Sequence, residues 1–142
     1  MIYEVDFGAM LRGHDITRFT ARELCPVGRA QGTARLIAPR CELWANIIPT
    51  ARLAQEAREH FGRPMVVSSG YRDPVYNRAV GGAAGSLHVQ FKALDIYING
   101  VTSKDLAAWF ESHRAAPIMG IGTYPTFVHI DTRGTRSRWG MP

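Results

Sequence analysis

Cysteine is scarce in this chain, with only Cys25 and Cys41 among 142 residues. Two cysteines make no disulfide framework and fit no zinc-knuckle spacing; they could pair after export or persist as thiols. Lysine is nearly missing as well, since 15 of the 17 basic residues are Arg, scattered along the chain. That scatter supplies no basic-aromatic motif, so nucleic acid is not an expected partner. No run of apolar residues approaches the roughly 20 that a membrane span needs, and no transmembrane segment is expected. The opening MIYEVDFGAM carries acids where a signal peptide would carry basic residues. Synthesis in the cytoplasm, with delivery by some other route, is the expectation. The glycine-rich run Val80–Gly85 is followed by no Gly-Lys-Ser/Thr, which excludes a P-loop.

What remains is an ordinary globular composition. An apolar content of 46% and a charged content of 20% suit one domain over residues 1–142, acting as a monomer. A net charge of +5 favours an anionic partner such as a wall or envelope polymer.

Along the chain, IYEVDF alternates briefly, and residues 1–16 are expected to form an edge strand or irregular lead-in. Thr20-Ala-Arg-Glu23 is a capping-box pattern that starts a short helix. The stretch from Gly28 to Pro39 reads as a loop. Leu43, Ile47, Ala51, Ala54 and Phe61 recur at helical spacing, with Pro49 marking either a kink or the first turn of a new helix. Met65 to Ser69 reads as a buried strand, and Gly70 to Pro74 as a turn. Ala93 to Ile98 alternates as a strand that puts Ala93, Asp95 and Tyr97 on one face. Ser103 is expected to cap a helix buried along Leu106, Trp109, Phe110 and His113. Thr126 to Thr132 is a strand with Phe127, His129 and Asp131 on one face; the tail from Arg133 shows no clear element.

The chemistry concentrates in SLHVQFKALD (86–95) and FVHIDTRG (127–134). His88, Asp95 and His129 supply two imidazoles and a carboxylate, the donor types of a catalytic zinc site that keeps one position open. Spacing alone leaves that set unproved, because a His and an Asp seven residues apart are common.

The ordered motifs SSGYR, N..VGG..GS.H, A.D and GIG.Y...FVHIDTRG..RW resemble the zinc metallopeptidases of bacterial cell walls. That group comprises D-Ala-D-Ala carboxypeptidases, dipeptidases and murein endopeptidases, several of them from phage lysis systems. The resemblance implies an α+β fold like the zinc domain of hedgehog proteins, with a small central antiparallel sheet and helices packed on one side. It implies Zn2+ held by His88, Asp95 and His129, and Arg72 polarising the scissile carbonyl. Ser86, with Tyr71 and Asn77, would contact the peptide, unless the last two are structural.

Relatives with an E-x-x-H motif carry their general base where this chain has Thr126. Asp131 is then either the base or the group that orients a ligand imidazole. Phe91 stands where the family pattern has Gly, implying a different turn or an aromatic side chain lining the cleft. The expected function is hydrolysis of amide bonds in murein stem peptides or cross-links, as a phage or prophage lytic enzyme acting at the cell wall or periplasm. The alternative is a non-catalytic zinc module that binds the wall or a phage-tail partner.

Overall fold

The computed structural model describes residues 2–140. Its first element corrects the expected lead-in: Tyr3–Gly13 is a helix, α1. Tyr3, Phe7 and Leu11, four apart, are buried, while Glu4, Val5 and Asp6 between them are exposed. The period is therefore helical, and the alternation in IYEVDF was too short to outweigh it. The short helix α2 (Ala21–Leu24) carries the full capping box, with Thr20 accepting from the Glu23 amide and Glu23 from the Thr20 amide. Within the expected loop, Ala30–Gln31 (β1) and Ala34–Arg35 (β2) pair as a minimal hairpin.

Pro49 belongs to a new helix. A 3-10 segment, Cys41–Ile47, leads into α3 (Ile48–Phe61), whose second residue is Pro49. Gly62 ends α3 in the left-handed conformation (φ 64°).

The main sheet has five strands: β3 (Met65–Ser69), β4 (Ala93–Ile98), β5 (Gly120–Thr123), β6 (Val128–Asp131) and β7 (Ser137–Gly140). Their order is β3-β4-β6-β5-β7; the first four pair antiparallel, and β7 adds to β5 in parallel. Strand β5 lies in a Gly-interrupted stretch, and β7 in the tail that carried no clear element in sequence. Helix α4 (Pro74–Ala79) follows β3 and is capped by Asp73, whose side chain accepts from the Tyr76 amide. Helix α5 (Ser103–Glu111) begins one residue earlier than expected, with Thr102 rather than Ser103 as its cap.

The two faces of the sheet differ. Leu94, Ile130, Ile121 and Arg138 form one transverse row. Arg138 reaches Glu111 of α5 through two hydrogen bonds of 2.7 Å, so this face is the one α5 covers. On the opposite face the matching row is Asp95, His129, Gly122 and Trp139, with Ser69 of β3 beside Asp95. Ser69 reaches that place through a register shift in β3 between Val67 and Ser69.

Phe91 neither changes the turn nor enters the cleft. Its backbone adopts the left-handed conformation that Gly would take (φ 54°), and its ring is fully buried. The ring lies 5.5 Å from Phe7 and 5.6 Å, edge-on, from Tyr71. Core packing therefore holds a residue where an L side chain costs about 1–2 kcal/mol. Removing the ring should destabilise the fold by about 3–5 kcal/mol. The usual order of Ala and Gly should also reverse: in urea unfolding, F91G should be more stable than F91A by about 1 kcal/mol. An Ala variant as stable as the Gly variant would contradict a strained turn.

Candidate metal centre

Asp95 and His129 face each other across the β4–β6 ladder. His88 precedes β4 in a tight turn where the Phe91 amide donates to the His88 carbonyl and the Lys92 amide to Leu87. The result is a cluster: one ligand atom each from His88, Asp95 and His129 lies within 4.8 Å of the others. Asp95 Oδ1 stands 3.2 Å from His88 Nε2 and 3.0 Å from His129 Nδ1. The three side chains are only 4, 9 and 12% exposed, respectively.

The far nitrogens decide what the cluster fits. His88 Nδ1 lies 2.7 Å from the Gly70 carbonyl, which can only accept, so this nitrogen carries a proton. His129 Nε2 lies 2.7 Å from Asp131 Oδ2 and donates to it. With both rings neutral, the two near nitrogens would turn lone pairs toward a carboxylate, which is repulsive. The arrangement requires positive charge at its centre, from two extra protons or from one divalent cation. Imidazoles held at the far nitrogen by a carbonyl and a carboxylate are how metal-ligating histidines are oriented. The residues fit a zinc ion in donor type and number, with a ligand position left over.

The same charges perturb the titrations. Burial raises the Asp95 carboxyl, but hydrogen bonds from His129 and His88 outweigh it and hold it below the usual carboxylate range. Burial lowers His129, but its bonds to Asp131 and Asp95 outweigh that and raise it above the ordinary histidine value.

Asp131 is fully buried and is not among the residues that line the cleft. Its Oδ1 accepts from the Gly120 amide and from the Arg133 amide and Nε; its Oδ2 accepts from Arg133 Nη2 and His129 Nε2. Of the two roles expected for Asp131, these bonds match the one in which the carboxylate orients a ligand imidazole. Gly120 makes the room, since a Cβ there would collide with the Asp131 carboxylate. Gly122 does the same for Trp139, whose indole would meet a Cβ at that position. The indole instead lies 5.0 Å from the His129 ring and donates to the Tyr124 hydroxyl at 2.8 Å.

Arg72 lines the cleft and is held at three nitrogens. Nε donates to Ser69 Oγ at 2.9 Å, Nη1 to Asn77 Oδ1 at 3.3 Å and Nη2 to Asp95 Oδ2 at 3.5 Å. Asn77 is buried and donates in turn to the Ala83 carbonyl, so it braces Arg72 against the glycine-rich loop. Tyr71 is buried against Phe91. Neither side chain is among those that line the cleft. Ser86 does line it, and its Oγ accepts from the His88 amide. The cleft is about 530 Å³, walled on one side by Gly82 to Leu87 and on the other by Tyr124, Phe127 and Trp139. Sequence reasoning missed Trp139, whose place is set by a parallel strand pairing that leaves no local period, and Arg133, whose fork on Asp131 forms just after β6 ends. The cysteines lie apart from this site: Cys25 is a buried thiol and Cys41 an exposed one.

A family model described as Peptidase M15 matches residues 17–131. No curated protein matches the chain significantly.

Two outcomes follow from this geometry. D131N should keep the fold's outline but weaken zinc binding by about 10–100-fold in chelator competition. Unchanged affinity would remove the orienting role of Asp131. Bound metal replaces protons on imidazoles, one of which has a raised pKa. The stability that protonated His129 gives the metal-free protein is present at low pH and fades as pH rises through that raised value. Zinc binding runs the other way, so the rise in Tm on adding zinc should grow between pH 5.5 and 7.5. A pH-independent rise would contradict proton–metal exchange at this cluster.

Proposed function

The chain belongs to the Peptidase M15 family, and on that premise we propose that it is a zinc-dependent peptidase of peptidoglycan, cleaving amide bonds in stem peptides or their cross-links. The observation that carries this reading is the convergence of His88 Nε2, Asp95 Oδ1 and His129 Nδ1, with each imidazole anchored at its far nitrogen. A zinc ion held by His88, Asp95 and His129 would supply the Lewis acidity that amide hydrolysis needs.

The chain's own groups do the rest. Arg72, fixed by Ser69, Asn77 and Asp95, presents its guanidinium to the cleft, where it stabilises negative charge developing on the carbonyl oxygen. Asp131 keeps the proton on His129 Nε2, so that Nδ1 faces the cluster as a donor. Ser86 and the glycine-rich loop close one side of the cleft against the peptide. Its aromatic wall shields the opposite side from water. The net charge of +5 supports association with anionic wall polymers. Among the described residues no helix is long and apolar enough to cross a membrane. Service as a phage or prophage lytic enzyme, acting on the wall after phage-mediated release, is the narrower part of the proposal; it rests on the resemblance to lysis-system peptidases.

One observation favours a second reading. Asp95 is the one carboxylate lining the cleft, and the position where E-x-x-H relatives carry their base is Thr126. A zinc module that binds the wall without cleaving it would have such a site.

Purified protein incubated with murein separates the two. Close to one zinc per chain, with stem-peptide fragments that disappear on chelation and return with zinc, is the expected result, and fragment masses identify the bond. Zinc without fragments from several murein types selects the binding module; no zinc after reconstitution removes both readings. R72Q should lower kcat by about 10²–10³ with a smaller change in KM.

A further inference from the structure

The cleft contains a second arginine that none of the steps above employs. Arg133 follows β6 by two residues and lines the cleft with Arg72. Its Nε and Nη2 form a bidentate fork on Asp131, at 2.9 and 2.8 Å. Its Cζ stands 5.1 Å above the Trp139 ring. One edge and one face of the guanidinium are thereby fixed. The remaining nitrogen, Nη1, has no hydrogen-bond partner among the described residues, while the side chain as a whole is only 30% exposed.

Charge balance makes that free edge informative. Asp131 already serves His129 as well as Arg133. Asp95, the one carboxylate that lines the cleft, is shared between two imidazoles and Arg72. No acidic side chain of the lining is left to answer Nη1, and a divalent ion at the cluster would make the cleft more positive still. A preorganised guanidinium with two unused donors in a positive cleft matches a carboxylate.

We propose that Arg133 is a substrate-binding residue whose Nη1 edge receives a carboxylate of the peptide being cleaved. The proposal rests on the peptidase reading and specifies its substrate: a peptide with an anionic group close to the scissile amide. One imidazole and two short hydrogen bonds separate the guanidinium from the ligand atoms, a reach of roughly two extended residues. The carboxylate therefore belongs to the residue beside the cleaved bond or the next one. It is either the end of the chain or the free carboxyl of an acidic residue within it.

Calorimetric titration of the zinc-loaded protein with two matched pairs tests this. The first pair is N-acetyl-D-alanyl-D-alanine and its C-terminal amide. The second is N-acetyl-L-alanyl-γ-D-glutamyl-L-lysine amide and the same peptide with the glutamyl α-carboxyl amidated. Wild type should bind the acid of one pair at least tenfold more tightly than its amide, and the pair that discriminates identifies the source of the carboxylate. In R133Q that ratio should fall to within twofold. If Arg133 only supported Asp131, R133Q would weaken acid and amide alike and leave the ratio intact, which overturns the proposal. So would a wild type that discriminates in neither pair. Should R133Q not fold, the guanidinium nitrogen signals of Arg133 in wild type should shift on adding the acid and not the amide; unmoved signals overturn it equally. Because binding is read without turnover, an inactive protein that still discriminates would count against the peptidase reading and leave the carboxylate site standing.

Discussion

Two imidazoles pointing at one carboxylate oxygen, with their other nitrogens already committed, cannot be stable without positive charge between them. That requirement governs the surroundings of Asp95. The register of β4 on β6 sets Asp95 opposite His129. The Gly70 carbonyl and Asp131 fix which nitrogen of each ring is left to face inward. Arg133 and the Gly120 amide then neutralise Asp131, which would otherwise be a bare anion in a dry interior. Each layer answers a charge exposed by the one inside it.

The sheet delivers this by placing the key groups in one transverse row and leaving gaps in it. Gly122 in that row and Gly120 in the next have no side chains, and the vacated space is taken by Trp139 and by the Asp131–Arg133 pair. Strands of ordinary residues would project Cβ atoms into the same volume. The motif GIG is thus part of the site without touching a ligand.

Much of this was legible in the chain. The period of two in Ala93–Ile98 and in the segment around His129 gave the faces correctly, because each strand has one face covered by packing. Thr20 and Glu23 announced their helix because a capping box is a local device. The misses have a common cause. Helix α1 has one buried residue per turn and a glycine within it, so its period emerges only over the whole of Tyr3–Gly13. Strands β5 and β7 are four residues each, and β7 is held by a parallel partner and by the Arg138–Glu111 contact with α5. The role of Asp131 could not be chosen from sequence because it depends on five donors brought from Gly120, His129 and Arg133. Phe91 looked like a departure that would alter the pocket; its ring turned inward, and the turn stayed as Gly would have made it.

Phe91 also ties regions that share no ligand. Its amide closes the turn bearing His88, while its ring lies against Phe7 of α1, a helix that precedes the matched residues 17–131. The docking of α1 and the geometry of the His88 turn therefore share this one residue. Coupling of this kind is reciprocal: whatever free energy the docked helix lends to the loop, an ion in the loop returns to the helix. An ion bound at His88 would in that sense also favour the packing of the first helix, at the opposite end of the chain.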